Sequence, residues 1–200
     1  MLTADMLFAF ILFAFVSSIT PGPNNTMLLA SGVNFGFNRT IPHMLGISCG
    51  FTLMVLAVGL GLGAVFKAYP LLYTVLRYAG AAYLLYLAYK IATSGPASNN
   101  DEGRGKPMSY LNAAAFQWVN PKAWVMAVGA ITTYTPINGY FTNVAVIALV
   151  FGIVNLPSVS LWAGFGSLLR NVLRDPLWLR VFNGVMAALL VLSLYPLLKP

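Results

Sequence analysis

The sequence has one cysteine, one histidine and four acidic residues among its 200. Cys49 alone allows no internal disulfide, no zinc cluster and no thiol relay. As a small residue inside an apolar run it is expected only to pack. Charge of either sign is scarce, at 8% of residues against about 25% in an average soluble domain, while 59% are hydrophobic. Such a chain belongs in a bilayer. The net charge of +7 does not point to nucleic acid, because the basic residues form no aromatic-interleaved surface. An enzyme would need a nucleophile and a base at depth, and no serine has an evident histidine partner. No catalytic residue, metal site or cofactor is therefore expected.

What the chain does have is long uncharged runs. Met6 to Asn38, Thr40 to Phe66, Pro107 to Tyr134 (interrupted by Lys122), Asn138 to Leu169 and Val181 to Leu198 are each near or above the roughly 20 residues a spanning helix needs. A sixth, Pro70 to Ala92, contains Arg77 and Lys90, and it spans if Arg77 snorkels to an interface. The N-terminus has no basic stretch ahead of its apolar run, so the first helix is expected to be retained rather than cleaved. With six spans, Arg39, Lys90, Arg104, Lys106, Arg170, Arg174 and Arg180 fall on one side and Lys67 and Lys199 on the other. Excess Lys and Arg marks the cytoplasmic face, which puts both termini outside and the linker 93–107 inside.

That Gly, Ser and Asn-rich linker divides a single transmembrane domain, 1–200, into two parts, 1–92 and 108–200, of three apolar segments each. The leading segment of each part is broken, at "TPGPNN" and at "VNPKAW", with Pro21 and Pro121 in corresponding positions. The expected fold is an all-α integral membrane protein of six helices in two inverted three-helix repeats, helices 1 and 4 being broken at Pro/Asn motifs.

Gly22 lies midway between Asp5 and Arg39, so the first break should sit near the bilayer midplane. Pro21 and Pro23 should free the carbonyls of Ser17 and Ile19, Gly22 permits close approach, and Asn24 and Asn25 add donors and acceptors at the start of a half-helix whose N-terminus favours an anion. Freed backbone groups in hydrocarbon must be satisfied by protein, water or a ligand. A proline kink for packing is the plainer alternative.

The second break carries a charge. Lys122 is 13 residues from Ser109 and 12 from Tyr134, about 18 to 20 Å from either end at 1.5 Å per residue. A central lysine costs about 2.5 to 3.5 kcal/mol even on the lenient insertion scale. The acids Asp5, Asp101, Glu102 and Asp175 all lie in termini or loops, so the missing anion can be the substrate. Alternatively Lys122 is neutral, or donates to carbonyls such as that of Gln117, which Pro121 should free. Gln117 and Asn120 would line the same break. A weaker cluster, "VNLPSVS", offers Asn155, Ser158 and Ser160, with lining and packing about equally supported. His43 reads as an interfacial structural residue, and Gly46/Gly50 and Gly59/Gly63 as small-residue pairs that let helices pack closely.

A cavity with one fixed cation, amides and freed carbonyls suits a zwitterion, so a small amino acid is the favoured substrate, although another small anion would also fit. "TPGPNN", "GFNRTIPHMLGISCGF", "GAAYLLYLAYKIA" and "FQWVNPKAW" resemble the LysE/RhtB family of bacterial amino-acid exporters over nearly the whole chain, nearest its cysteine and O-acetylserine exporters. The resemblance implies a multi-pass inner-membrane secondary transporter of small neutral amino acids, including homoserine- or threonine-like ones, with protons as the coupling ion and room for a homo-oligomer. It also makes Pro21, Gly22, Pro23, Asn24 and Asn25, with Asn120, Pro121 and Lys122, the translocation core, and with Thr20, Gln117 and Asn155 these are the candidate substrate-binding residues. A proton on Lys122 is then the candidate coupling element. The alternatives are a small-solute channel, which of the aquaporin type would need matching motifs in both halves and an arginine at midplane depth, and a non-transporting membrane subunit.

Overall fold

The computed structural model describes residues 2–62, 64, 68–94, 106–173 and 175–195. The expectations that rest on Gly63, Phe66, Lys67, Asp101, Glu102, Arg104, Arg174, Leu198 and Lys199, and most of the linker, lie outside these residues. The helices are α1 (Ala4–Ile19), α2 (Pro23–Phe35), α3 (Phe37–Ala57), α4 (Pro70–Ala92), α5 (Tyr110–Phe116), α6 (Pro121–Tyr134), α7 (Tyr140–Val172) and α8 (Pro176–Leu192). A π turn, Val58–Leu62, extends α3, and a 3-10 turn, Gln117–Val119, ends α5. No strand occurs among the described residues.

Proline sets half of these helix starts. Pro23, Pro70, Pro121 and Pro176 open α2, α4, α6 and α8, where a missing N–H costs nothing and the fixed φ already suits a helix. In the interior of α7, Pro157 is carried without a break. α1 and α2 meet at 54°, so the first long run is two half-helices, as its Pro-Gly-Pro sequence demands. By length and composition α3 with its π turn and α7 are each long enough to cross a membrane, and α1 with α2 makes a third such unit.

Polarity is distributed inside out. Ser18, Asn25, Ser48, Gln117, Asn120, Asn155 and Asn183 are buried, while Leu53, Leu111, Val125, Phe141, Ile153 and Leu168 are exposed. An apolar exterior is what lipid as solvent selects. One core cluster joins Phe10, Phe51, Ala127, Ile147 and Phe151, a second binds α4 and α8 to α2 through Leu84, Leu190 and Met27, and a third joins Leu28, Ile47 and Ala163.

With no water to expel, helices associate here through close packing. A Cβ on Gly46 would strike Ala113 at 2.8 Å and one on Gly50 would strike the Cα of Ala114 at 2.5 Å, so this small-residue pair seats α3 directly on α5. A second pair, Gly32 and Gly166, lets α2 and α7 approach backbone to backbone at the Ala163 and Leu29 carbonyls.

One expectation on α3 is corrected. Cys49 does not pack in the core; it is exposed on a stripe with Ile41, Leu45 and Leu53, because residues four apart share a helix face. His43 faces the other way, into the protein. It is buried on the same face as Thr40 and Ile47, and neither ring nitrogen has a hydrogen-bond partner among the described residues.

Candidate functional site

Both breaks end in the same local device, an extended residue followed by proline at the first helical position. Gly22 is extended (φ 176°, ψ 179°) before Pro23, and Asn120 (φ −85°, ψ 112°) precedes Pro121. Pro23, rather than Pro21, is thus the positional counterpart of Pro121. The Asn120 side chain caps α6 by accepting from the Lys122 backbone N–H at 3.1 Å, whereas Gly22 offers no side-chain cap.

The carbonyls freed at the first break are taken up by the protein. Ser17 O accepts from the Thr20 hydroxyl at 3.0 Å, and Ile19 O from the Trp162 indole N–H of α7 at 3.0 Å. The amide nitrogen of Asn25 is engaged within the protein: it donates to Ser18 O and Thr20 O, both at 2.8 Å, and so staples α2 back onto the end of α1. The same geometry recurs where Asn143 donates to Pro136 O and Asn138 O, both at 3.0 Å.

Across the breaks, Asn24 and Gln117 form a reciprocal amide pair. Asn24 Nδ2 donates to Gln117 Oε1 at 2.8 Å and Gln117 Nε2 to Asn24 Oδ1 at 3.2 Å. Lys122 makes the second tie. Its ammonium donates to Thr20 O at 2.6 Å, Thr20 Oγ1 at 2.9 Å and Pro21 O at 3.3 Å. All three acceptors are neutral, so three N–H donors are satisfied while the charge itself meets no anion there. The sequence-based candidate acceptor, Gln117 O, is not among them, because Asn120 N–H closes the 3-10 turn onto it at 3.2 Å.

Between the breaks lies a cavity enclosing about 330 Å³ of unoccupied space with its mouth included, although its interior has room for little more than one water. Gly22, Asn24, Asn25, Gln117, Asn120, Lys122 and Asn155 line it. Thr20 and Pro21 touch it only through the lysine, and Pro23 and Pro121 serve as helix starts. Asn155 bridges Ser48 on α3 and Ser18 on α1, accepting from Ser48 Oγ at 3.1 Å and donating to Ser18 Oγ at 3.2 Å. Ser158 and Ser160, considered as lining groups, instead donate to the Val154 and Leu156 carbonyls of their own helix.

Sequence reading missed Ser17, Ser18, Phe51, Ala123, Met126 and Val159, which also line the cavity. Helical spacing was the available signal, since Met126 and Val159 each follow a candidate residue, Lys122 or Asn155, by one turn.

Gly22 earns its position by a steric argument. A Cβ there would lie 2.7 Å from Lys122 Cδ and 3.3 Å from its Nζ. Because the lysine chain can swing away, Gly22→Ala is expected to fold and to displace the ammonium from Thr20 and Pro21. Any flux through this cavity should fall about tenfold, a rate measured at equal protein in the membrane; an unchanged rate would show that this contact is idle.

A family model described as LysE type translocator matches residues 15–194, a range that contains both breaks. The chain belongs to this family. Among curated relatives, the cysteine/O-acetylserine efflux protein of Escherichia coli (strain K12) is 33% identical over 193 residues, covering 95% of this chain and 96% of that protein. Proteins of the same name from Shigella sonnei (strain Ss046) and Escherichia coli O139:H28 (strain E24377A / ETEC) are 33% and 32% identical over the same length. No solved structure matches the chain. As a member of the LysE type translocators the chain is a multi-pass membrane transporter and not an enzyme, which fits a site built of amides and one cation without a nucleophile and base.

Proposed function

We propose that this LysE type translocator exports small neutral amino acids from the bacterial cytoplasm across the inner membrane, coupled to the proton gradient. In this reading the chain crosses six times as two inverted three-helix repeats, with both termini outside and the linker 93–107 in the cytoplasm. The sidedness is supported by contacts that bring the neighbourhoods of Arg39, Arg170 and Arg180 to one end of the bundle. Gly36, three residues before Arg39, lies against the Arg170 guanidinium, and Asn183, one turn after Arg180, bonds Asn34 at 2.8 Å and Ser94 at 2.9 Å.

The observation that carries the reading is the Lys122 ammonium held on neutral oxygens of the opposite break. A substrate carboxylate is a stronger acceptor than Thr20 and Pro21, so it would draw the lysine off them, with the N-terminus of α2 adding a favourable dipole. The substrate ammonium would be met by amide and carbonyl oxygens, which need no fixed acid. Binding would thereby release one of the two ties between the half-helix breaks and allow them to part, which an amino acid requires given the size of the closed cavity. The names of the relatives, cysteine and O-acetylserine efflux proteins, favour short, uncharged side chains. Lys122 is the titratable group at the site and the candidate for proton coupling.

Purified protein in vesicles preloaded with single amino acids should show saturable efflux of alanine-, serine- and cysteine-sized substrates, slowed when an ionophore collapses the proton gradient. Flux that does not saturate would identify a channel, and no flux of any amino acid would overturn the exporter reading.

A further inference from the structure

The walls of the cavity differ in chemistry. Ser17, Ser18, Asn24, Gln117, Asn120 and Lys122 make up most of the polar side, while Phe51, Ala123 and Met126 close another side. Those three belong to one continuous core cluster, whereas Val159, the remaining apolar lining residue, belongs to a different one. The apolar side is thus a single patch and not scattered methyl groups.

We propose that Phe51, Ala123 and Met126 form the subsite for the substrate's side chain and set the upper limit on its size. The proposal rests on the exporter reading above. Met126 follows Lys122 by four residues on the same face of α6, about 6 Å along the axis. A carboxylate seated at Lys122 therefore directs the side chain toward Met126, leaving space for one or two heavy atoms and placing a longer side chain against the thioether.

The three residues differ in stiffness. Phe51 is fully enclosed and fixed by an edge contact to Phe151, with ring centroids 4.7 Å apart and planes at 88°. Ala123 contributes only a methyl on the wall nearest the cation. Met126 is the adaptable member, an unbranched thioether that conforms to the group it meets, and both it and the aromatic ring favour apolar or sulfur-bearing side chains. No carboxylate is among the described residues that line the cavity, so a lysine- or arginine-like side chain would be buried there without a partner from them, at a cost no neutral side chain incurs.

The test uses the full-length protein in vesicles preloaded with equimolar alanine, serine, methionine, leucine and lysine, and follows the initial rate of each. The parent should favour alanine and serine. Met126→Ala should raise the methionine-to-alanine and leucine-to-alanine rate ratios at least about tenfold, the discrimination that one or two methylenes carry in an apolar pocket. Ala123→Leu, which narrows the subsite, should move the serine-to-alanine ratio the other way, and it reads the same wall if Met126→Ala does not accumulate in the membrane. Saturable export by the parent with ratios unmoved in the variants would overturn the subsite while leaving the exporter reading intact. Absence of saturable export by the parent would instead remove the reading beneath it. Lysine efflux comparable to alanine would also overturn the proposal.

Discussion

Lys122→Met is expected to lower saturable efflux at least about 30-fold at equal protein in the membrane. The substitution keeps most of the volume and the unbranched stem but deletes the one cation among the described residues that line the cavity. A carboxylate left without a charged partner in a desolvated site loses about 2 to 5 kcal/mol, and each 1.36 kcal/mol is tenfold in rate. The effect on folding has two opposed parts. Removing a central cation relieves about 2.5 to 3.5 kcal/mol of insertion cost, while Thr20 O and Pro21 O lose a donor, although Thr20 O keeps its bond from Asn25. Loss of transport should therefore exceed any loss of protein, as quantified by immunoblot of membrane fractions beside initial efflux rates. Efflux within about threefold of the parent would mean that the cation is not the carboxylate's partner.

The largest effect on stability is expected from Gly166→Ala. A Cβ at Gly166 would meet the Leu29 carbonyl and come within 3.1 Å of Gly32 Cα, and one at Gly32 would meet the Ala163 carbonyl and come within 2.9 Å of Ser167 N. These obstacles are backbone atoms, with no side chain to rotate aside, so α2 and α7 must separate. Overpacking of this kind costs about 1 to 3 kcal/mol, occasionally more, and separation would also strain the Trp162 bond to Ile19 O and the Asn155 bridge to Ser18. A cost near 3 kcal/mol corresponds to a fall of about 6 to 12 °C in the melting midpoint for a chain of this size. Gly32→Ala should cost a similar amount, and the double variant less than the sum, since one separation relieves both contacts. Gly184→Ala is the control: nothing lies within 4 Å of its added Cβ, so it should be neutral or slightly stabilising. A Gly166→Ala midpoint within 2 °C of the parent would contradict the close α2–α7 contact.

Much of the site was legible because its residue types have few roles in hydrocarbon. Two prolines, a glycine and two asparagines at depth, and a lysine that cannot reach either interface, mark breaks whatever the fold around them. What was not legible was the choice of partners. Pro21 and Pro23 imply free carbonyls at Ser17 and Ile19, but nothing local says that Thr20 and the indole of Trp162, 143 residues from Ile19, would take them. Asn24 and Asn25 are adjacent and chemically identical, yet one pairs across the break with Gln117 and the other staples its own chain, because successive helical residues point about 100° apart. The same rotation turned Cys49 outward, against expectation, and His43 inward.

The sequence by itself determined the solvent of this protein and where along the chain its two breaks fall. Hydropathy, the position of charges and the lack of backbone hydrogen bonding at proline are properties of a residue and its near neighbours, so they survive without a fold. Only the tertiary structure decided that the two breaks meet, that Lys122 rests on Thr20 and Pro21, 102 and 101 residues away, and that Phe51 and Met126 close the cavity beside it. Those outcomes depend on how closely glycine-faced helices can approach, and that distance is set jointly by every helix in the bundle.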